Sequence, residues 1–366
     1  MSRGAVLLGA ALLLTLIAPA SASDVSTRWA PAPGTSWQWQ LTVPVDLSVE
    51  ADVYDIDGFD NSARVVARLH ASGRKAICYI DAGAYEDYRP DASRFPASVL
   101  GKPNPLWEGE RWLDIRRLDV LGPIMRARLD MCRAKGFDGV ELDEIDGWSN
   151  DTGFPLTAAD QLRYNRFLAS EVRARGMSAG LKNDLEQIPQ LLDSFDFAID
   201  EECYQYRECG ALKPFVAAGK AVFHTEYRHA PEAFCPVATA LGLSSMRKRL
   251  ELGAWRVYCR APRALVRTAG LRDSGTVALR LACPGFSPCA GTATLRALGA
   301  PGEIVARAHY VVGTGAERQV SVPLSRFGRR LLSGQRGVRV VVAAVTSNGP
   351  APPTRSRRVV TLAVPG

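Results

Sequence analysis

Two stretches of the chain carry carboxylates where a β-strand would run out into a loop. One reads Phe137-Asp138-Gly139-Val140-Glu141-Leu142-Asp143-Glu144-Ile145-Asp146-Gly147, the other Phe197-Ala198-Ile199-Asp200-Glu201-Glu202-Cys203. Side chains two apart on a strand share a face. With Asp143 facing a cleft, Gly139 and Glu141 lie below it, while Val140 and Leu142 pack on the other side. With Ile199 inward, Glu201 reaches the mouth, and a disulfide beginning at Cys203 would hold the loop behind it. Two carboxylates facing each other across a cleft suit glycoside hydrolysis, one protonating the leaving oxygen while the other attacks or activates water. Acids in such positions also commonly serve as hydrogen-bonding or metal-holding groups, and spacing alone does not choose between these uses.

Further candidates stand at other run ends: Asp55 and Asp57, Tyr79 and Asp81, Asp146, Lys182 with Asn183 and Asp184, and Glu226 with Tyr227. Lys182 shares a face with Gly180 and is expected to neutralise one member of an otherwise repulsive group, with Glu141 the candidate. Such a cation lowers its neighbour's pKa and leaves another acid protonated. Trp37 and Trp39 flank the first run, and Tyr85, Tyr88, Trp107, Trp112 and Trp148 fall in or near the loops. Each is either core or a platform for a sugar ring, and the Gly, Pro and Asp around Trp107 and Trp148 predict exposure for those two. No GxSxG elbow supports a nucleophilic triad. His224 is expected to pack or to stand behind the site, and His229 lacks a ligand-spaced partner. Asp146, Asn150 and Asp151 form an oxygen-rich loop that would suit calcium, but a solvated or sugar-binding loop is the simpler account. Neither a metal nor a cofactor is expected.

The elements that would position these groups alternate in type. Eight β-type runs are expected: Trp37–Leu41, Val53–Ile56, Lys75–Ile80, Phe137–Asp143, Met177–Lys182, Phe195–Asp200, Lys220–Tyr227 and Trp255–Cys259. Helical stretches separate them, at Ser62–Ser72, Val120–Lys135, Ala159–Arg175, Leu185–Leu192 and Leu212–Ala218. Strand, loop and helix in repetition imply a parallel sheet. Eight repeats without a GxGxxG favour a closed (β/α)8 TIM barrel over an open dinucleotide-binding sheet. Gly73, Gly136, Gly176 and Gly219 each follow a helix and precede the next run at once, as left-handed C-caps would. Those short joints mark the structural face, so the long acidic and aromatic loops belong to the active one. Beyond about residue 265 the runs Thr276–Ala282, Thr292–Ala297, Ile304–Val312, Gln319–Pro323, Val338–Val345 and Arg357–Val364 predict a C-terminal antiparallel β-sandwich.

Charge locates the division. The 366 residues carry a net +7, but residues 261–366 hold 15 Arg, no Lys and 3 acids, whereas residues 24–260 hold 29 basic and 35 acidic residues. The expected organisation is a signal peptide at 1–22, a barrel at 30–260 and a sandwich at 265–366. A high pI that averages two regions of opposite sign is no argument for nucleic acid, which is not an expected partner. Basic and apolar residues alternate in the tail, as in Val338-Arg339-Val340, so the arginines either cover a wet face or grip an anionic cell-wall or matrix polymer. Arg3, the apolar run Ala5 to Ile17 and Ala20-Ser21-Ala22 read as a cleaved secretory signal, too short to span a bilayer. The expected location is therefore secreted or extracellular, cell-surface associated if the tail binds a wall polymer, with no membrane attachment after cleavage. Eight cysteines in an exported chain imply disulfides. Local spacing pairs Cys203 with Cys209, Cys283 with Cys289 and Cys235 with Cys259 around a helix, leaving Cys78 for Cys132. Zinc is disfavoured by four His and no CxxC.

The ordered segments WQWQL at 37–41, YDIDGFD at 54–60, ICYIDAGAYEDYRPD at 77–91, ERWLDIR at 110–116, GFDGVELDEIDGWSNDTGFPLT at 136–157, GLKND at 180–184, FAIDEECYQYRECGALKPF at 197–215 and GKAVFHTEY at 219–227 closely resemble glycoside hydrolase family 114, the endo-α-1,4-polygalactosaminidases. The resemblance implies a barrel, glycosidase activity and an α-1,4-linked polymer containing galactosamine, cationic where its amines are free. It also implies catalytic roles for Asp143 and Glu201, as nucleophile and acid/base if hydrolysis is retaining. Where the common family form is GVDPDNVDG, this chain reads GVELDEIDG, which keeps Asp143 and Asp146 but introduces Glu141 and Glu144. The net negative barrel would attract a cationic polymer, less so in salt. The tail resembles β-sandwich modules of secreted actinobacterial proteins at Leu279–Cys283 and Cys289–Thr292, a likeness that carries no single function. Two other expectations stand beside hydrolysis: a transglycosylase on an amino-sugar polymer, and a carbohydrate-binding barrel without turnover.

Overall fold

The computed structural model describes residues 28–260, 262–272, 275–333, 335–347 and 353–363. The expected signal peptide at 1–22 lies outside the described residues. Eight parallel strands form one continuous sheet in sequence order: Trp37–Gln40, Val53–Asp57, Lys75–Asp81, Gly139–Asp143, Ser178–Lys182, Phe197–Glu201, Val222–Glu226 and Ser244–Arg247. A ninth, two-residue strand, Val257–Tyr258, runs antiparallel beside the eighth. The expected eighth run at 255–259 is thus corrected: the parallel partner is Ser244–Arg247, a four-residue strand too short and polar for periodicity to reveal. No ladder joins the first strand to the last among the described residues. Single bonds bridge that gap, from Trp37 Nε1 to the Ser244 carbonyl at 2.7 Å and from Leu41 N to the Leu252 carbonyl at 3.0 Å. The sheet is a curled, incomplete (β/α) barrel.

Strand alternation divides the apolar side chains into two layers. Trp37, Trp39, Ile77, Phe197, Ile199, Phe223 and Met246 fill the inside of the curl. Ile56, Ile80, Val140, Leu142 and Leu181 face outward against helix residues such as Leu121, Leu129, Leu168 and Val172. Gly180 is required by this interior, because a Cβ there would lie 2.4 Å from the Phe197 ring. The helices end as their glycines dictate: Gly73, Gly136, Gly176 and Gly219 all take positive φ, between 74° and 89°. Helix Ala158–Ala174 starts with a capping box between Thr157 and Asp160. Cys235 lies within helix Pro231–Leu241 rather than before it, and bonds to Cys259; the other bridges are Cys78–Cys132, Cys203–Cys209 and Cys283–Cys289.

The long segment after the third strand builds a three-stranded antiparallel sheet over the mouth, from Ala84–Glu86, Glu110–Leu113 and Leu100–Pro103. Beyond residue 264 the chain is β-rich. One antiparallel sheet has the order Leu265–Leu271, Thr276–Ala282, Glu317–Pro323, and a second has Ala300–Val312, Cys289–Ala297, Gly337–Thr346, Thr354–Ala363. Both contribute to one apolar cluster that includes Leu279, Leu295, Val305, Val322 and Val342. A short helix, Arg326–Leu332, capped by Ser325, adds to what the sequence suggested there.

Candidate active site

Asp143, Lys182 and Glu201 are the last residues of the fourth, fifth and sixth parallel strands. The residue after each adopts positive φ: Glu144 at 56°, Asn183 at 48° (followed by Asp184 at 49°) and Glu202 at 60°. Such conformations cost about 1 kcal/mol or more for non-glycine residues and persist where the surroundings impose them. Here they turn the chain off the sheet directly behind three side chains that face one cavity. Gly83 makes one of these turns feasible, because a Cβ on it would sit 1.6 Å from the Glu144 carbonyl oxygen. The amides of Ala82 and Gly83 both donate to the Asp143 carbonyl at 3.0 Å.

Lys182 organises the polar groups. Its Nζ lies 2.7 Å from Asp143 Oδ1, 2.9 Å from Glu201 Oε2 and 3.4 Å from Glu141 Oε1. It also stands over the Trp39 ring, 4.9 Å from the centroid. Tyr79 OH donates to Asp143 Oδ2 at 2.8 Å, Tyr227 OH donates to Glu201, and the Glu201 amide donates to Asn183 Oδ1 at 3.1 Å. Sharing one ammonium nitrogen limits the separation of Asp143 Oδ1 and Glu201 Oε2 to at most about 5.6 Å, a range that suits retaining glycosidases rather than the wider inverting pairs. The cavity above them has a volume of about 310 Å³.

Burial works against the Lys182 charge, but Asp143, Glu201 and Glu141 outweigh it and hold the ammonium protonated well beyond the usual lysine range. Beneath it, Asp55 and Glu141 are fully buried, and Glu141 faces the Lys182 ammonium at 3.4 Å. Burial, then the neighbouring Glu141, raises Asp55 well above the usual carboxylate range, and burial, opposed by the Lys182 charge, pushes Glu141 up to about 7. Burial and then the Asp143 charge push Asp146 up to about 6. Burial and then Asp143 also raise Glu144 well above the usual carboxylate range.

The cavity wall brings together Asp57, Tyr79, Trp107, Asp143, Asp146, Lys182, Asn183, Glu201 and Tyr227 from the expected set. Trp148 lines an adjoining cavity, its Nε1 donating to Asp184 at 3.1 Å. Four expected substrate contacts need correction. Asp55 shares its face with Asp57 but lies one layer deeper, below the cavity floor. Asp81 is buried and accepts the Gly83 and Ala84 amides. Tyr85 packs edge-on against Phe95, with centroids 5.6 Å apart. Glu226 points to the helix side, where it accepts from the Tyr204 amide and meets His224 at 3.0 Å; its neighbour Tyr227 takes the cleft side, and alternation allows only one of them to do so. Asp151, one of the three residues of the oxygen-rich loop, pairs with Lys102 at 2.6 Å.

Sequence reasoning missed Glu86, Arg89 and Glu110, which line the cavity from the inserted segment. Arg89 bridges Glu86 and Asp57 at 2.6 and 2.8 Å. Burial, then Glu86, pushes Glu110 up to about 7. The available signal was the run of acids beside Tyr88 and Trp107 in a long insertion. Leu250, Glu251 and Leu252, after the unrecognised eighth strand, complete the wall.

Residues 18–263 match the family model described as glycoside-hydrolase family GH114. Ega3 of Aspergillus fumigatus, crystallised in complex with galactosamine, is similar at 41% identity and a TM-score of 0.61, over 63% of this chain and 98% of that one. A Deinococcus radiodurans protein is 32% identical over 208 residues, which is 54% of this chain; the chain spans 65% of that relative's length.

Proposed function

The chain belongs to glycoside-hydrolase family GH114, and from that premise we propose that it cleaves α-1,4-galactosaminidic bonds inside a galactosamine-containing polysaccharide, with retention of configuration. The observation that carries this reading is the Asp143–Lys182–Glu201 bridge at three strand ends. Asp143 attacks the anomeric carbon while Glu201 gives its proton to the departing glycosidic oxygen, and a covalent glycosyl ester forms on Asp143. Esterification removes the charge from Asp143. The carboxylate left on Glu201 by that proton transfer then takes a proton from the incoming water, which opens the ester and releases the sugar. Free amines on the polymer would be held by a cavity rich in acids, and Trp107, half-exposed in its wall, would stack on a sugar face.

The remaining assignments follow the same reading. The curled sheet acts as a closed (β/α)8 barrel spanning about 30–260, its open seam bridged by the Trp37 and Leu41 contacts. Residues 265–366 act as a β-sandwich accessory domain whose arginines grip an anionic wall or matrix polymer, and the protein is exported. The test of the central claim is incubation with defined α-1,4-galactosamine oligomers, following product length and anomeric configuration. Shorter internal products with retained configuration are expected, and Asp143→Asn and Glu201→Gln should each abolish them with nearly unchanged thermal unfolding. Products longer than the starting oligomer would identify a transglycosylase. Retention of polymer without new reducing ends would leave only binding.

A further inference from the structure

A second cavity, of about 400 Å³, adjoins the first and shares Asp146, Asn183 and Glu201 with it. The two walls differ in one decisive respect. The first contains both Asp143 and Glu201, whereas the second contains Glu201 without Asp143. The sugar whose anomeric carbon reacts must meet both carboxylates, so it belongs in the first cavity. The sugar that leaves needs only the proton donor, so it belongs in the second.

The chemistry of the second wall is one-sided. Every charged side chain in it is acidic, and no Lys, Arg or His contributes. Asp200 Oδ1, in this wall, is buried and makes no hydrogen bond, with His224 Nε2 behind it at 4.0 Å. Glu186 and Glu208 are exposed on two different loops. Burial and then the Glu186 charge raise Glu208 above the usual carboxylate range, as expected of like charges without an intervening cation. Tyr206 is 62% exposed in the loop closed by the Cys203–Cys209 bridge, so a ring platform is held in place at the cavity edge. Asp184 is itself fixed by Trp148 and by Asn165 Nδ2 at 2.9 Å.

We infer that this second cavity is the leaving-side subsite for an amino-sugar residue with a free ammonium group, in which Glu186 and Glu208 select the charge and Tyr206 stacks on the ring. The inference rests on the proposed reading of Glu201 as acid/base and of a galactosamine polymer as substrate. A cation bound there relieves the repulsion between Glu186 and Glu208, which an N-acetylated residue of the same shape does not.

The test compares the full-length protein with Glu186→Gln/Glu208→Gln and with Tyr206→Ala on two substrates. One is a free-amine galactosamine oligomer; the other is α-galactosaminyl fluoride, whose leaving group fills no sugar subsite. For the oligomer, KM is expected to rise about tenfold in the double variant, the loss of charge-assisted hydrogen bonds at a partly exposed site. Turnover of the fluoride is expected to stay unchanged, and the preference for free-amine over N-acetylated oligomers to shrink. Equal losses on both substrates, or no change on either, would overturn the inference. A parent protein inactive on both substrates would overturn the proposed function along with it, whereas an active parent with unaffected variants would remove this inference alone.

Discussion

Lys182 Nζ lies 2.7 Å from Asp143 Oδ1, and the lysine side chain is almost wholly enclosed by the barrel. The same nitrogen reaches Glu201 at 2.9 Å and Glu141 at 3.4 Å, so one cation holds three carboxylates beneath a cavity. Lys182→Met keeps most of the stem but leaves those carboxylates uncompensated. Breaking a buried ion pair from one side costs about 3–5 kcal/mol. The expected result is a protein with markedly lower thermal stability, whose kcat/KM falls at neutral pH and whose acidic limb moves to higher pH. A pH–rate profile identical to the parent's would show that Lys182 does not set the charge on this pair.

Tyr79 and Tyr227 each hold one member of the pair, Tyr79 on Asp143 and Tyr227 on Glu201. A hydrogen bond to a charged group contributes about 1.5–3 kcal/mol. Tyr79→Phe is expected to lower the rate of glycosyl-enzyme formation by at least about tenfold, and Tyr227→Phe to alter the pH dependence more than the maximal rate. Rapid-mixing kinetics with an activated galactosaminide would separate the two; equal, pH-independent losses would contradict the division of labour.

Gly83→Ala should be more damaging than an exposed glycine change. Its Cβ would meet backbone, the Glu144 carbonyl oxygen at 1.6 Å, and no rotamer can relieve that contact. Overpacking of this kind costs about 1–3 kcal/mol and displaces the chain. Calorimetry is expected to register a lower unfolding temperature, together with a kcat loss because Asp143 precedes the displaced residue. Gly210→Ala, with open space around its Cβ, is the control and should be neutral.

The acids around the cleft make stability depend on pH. Asp146 is raised to about 6, and Glu110 and Asp184 to about 7, each chiefly by burial. A carboxyl whose pKa is higher in the folded state favours folding while protonated, and that contribution disappears as pH rises through the folded value. The protein is therefore expected to be more stable near pH 5 than near pH 8, by on the order of 1–3 kcal/mol per group after allowance for solvent screening. Denaturant titrations at the two pH values test this. Asp184→Asn should flatten the difference, and a parent equally stable at both would contradict it.

Much of the site was legible because strand alternation is a local rule. Once Asp143 is taken as facing the cleft, Glu141 and Gly139 must lie below it and Val140 and Leu142 must pack outward, which is the arrangement observed. The same rule, without a known strand end, cannot tell Glu226 from Tyr227, and the chain resolves that choice by turning Glu226 to His224 and the Tyr204 amide. Ser244–Arg247 was missed because four mostly small, polar residues carry no usable period; they are a strand because the seventh strand offers them a ladder.

Residue types and short-range order alone determined the alternation of strands and helices, the glycine-capped joints, the opposite charge of the two halves and the carboxylates at the strand ends. These depend on φ preferences, side-chain period and composition, which a chain carries locally. Only the tertiary structure decided that Lys182 would join Asp143 to Glu201, that Glu86 and Glu110 would return from an insertion to wall the cavity, and that Glu201 would stand between two cavities. Those outcomes depend on the curling of the sheet, where residues far apart in sequence meet at hydrogen-bond distance, and no local periodicity encodes which strand ends converge.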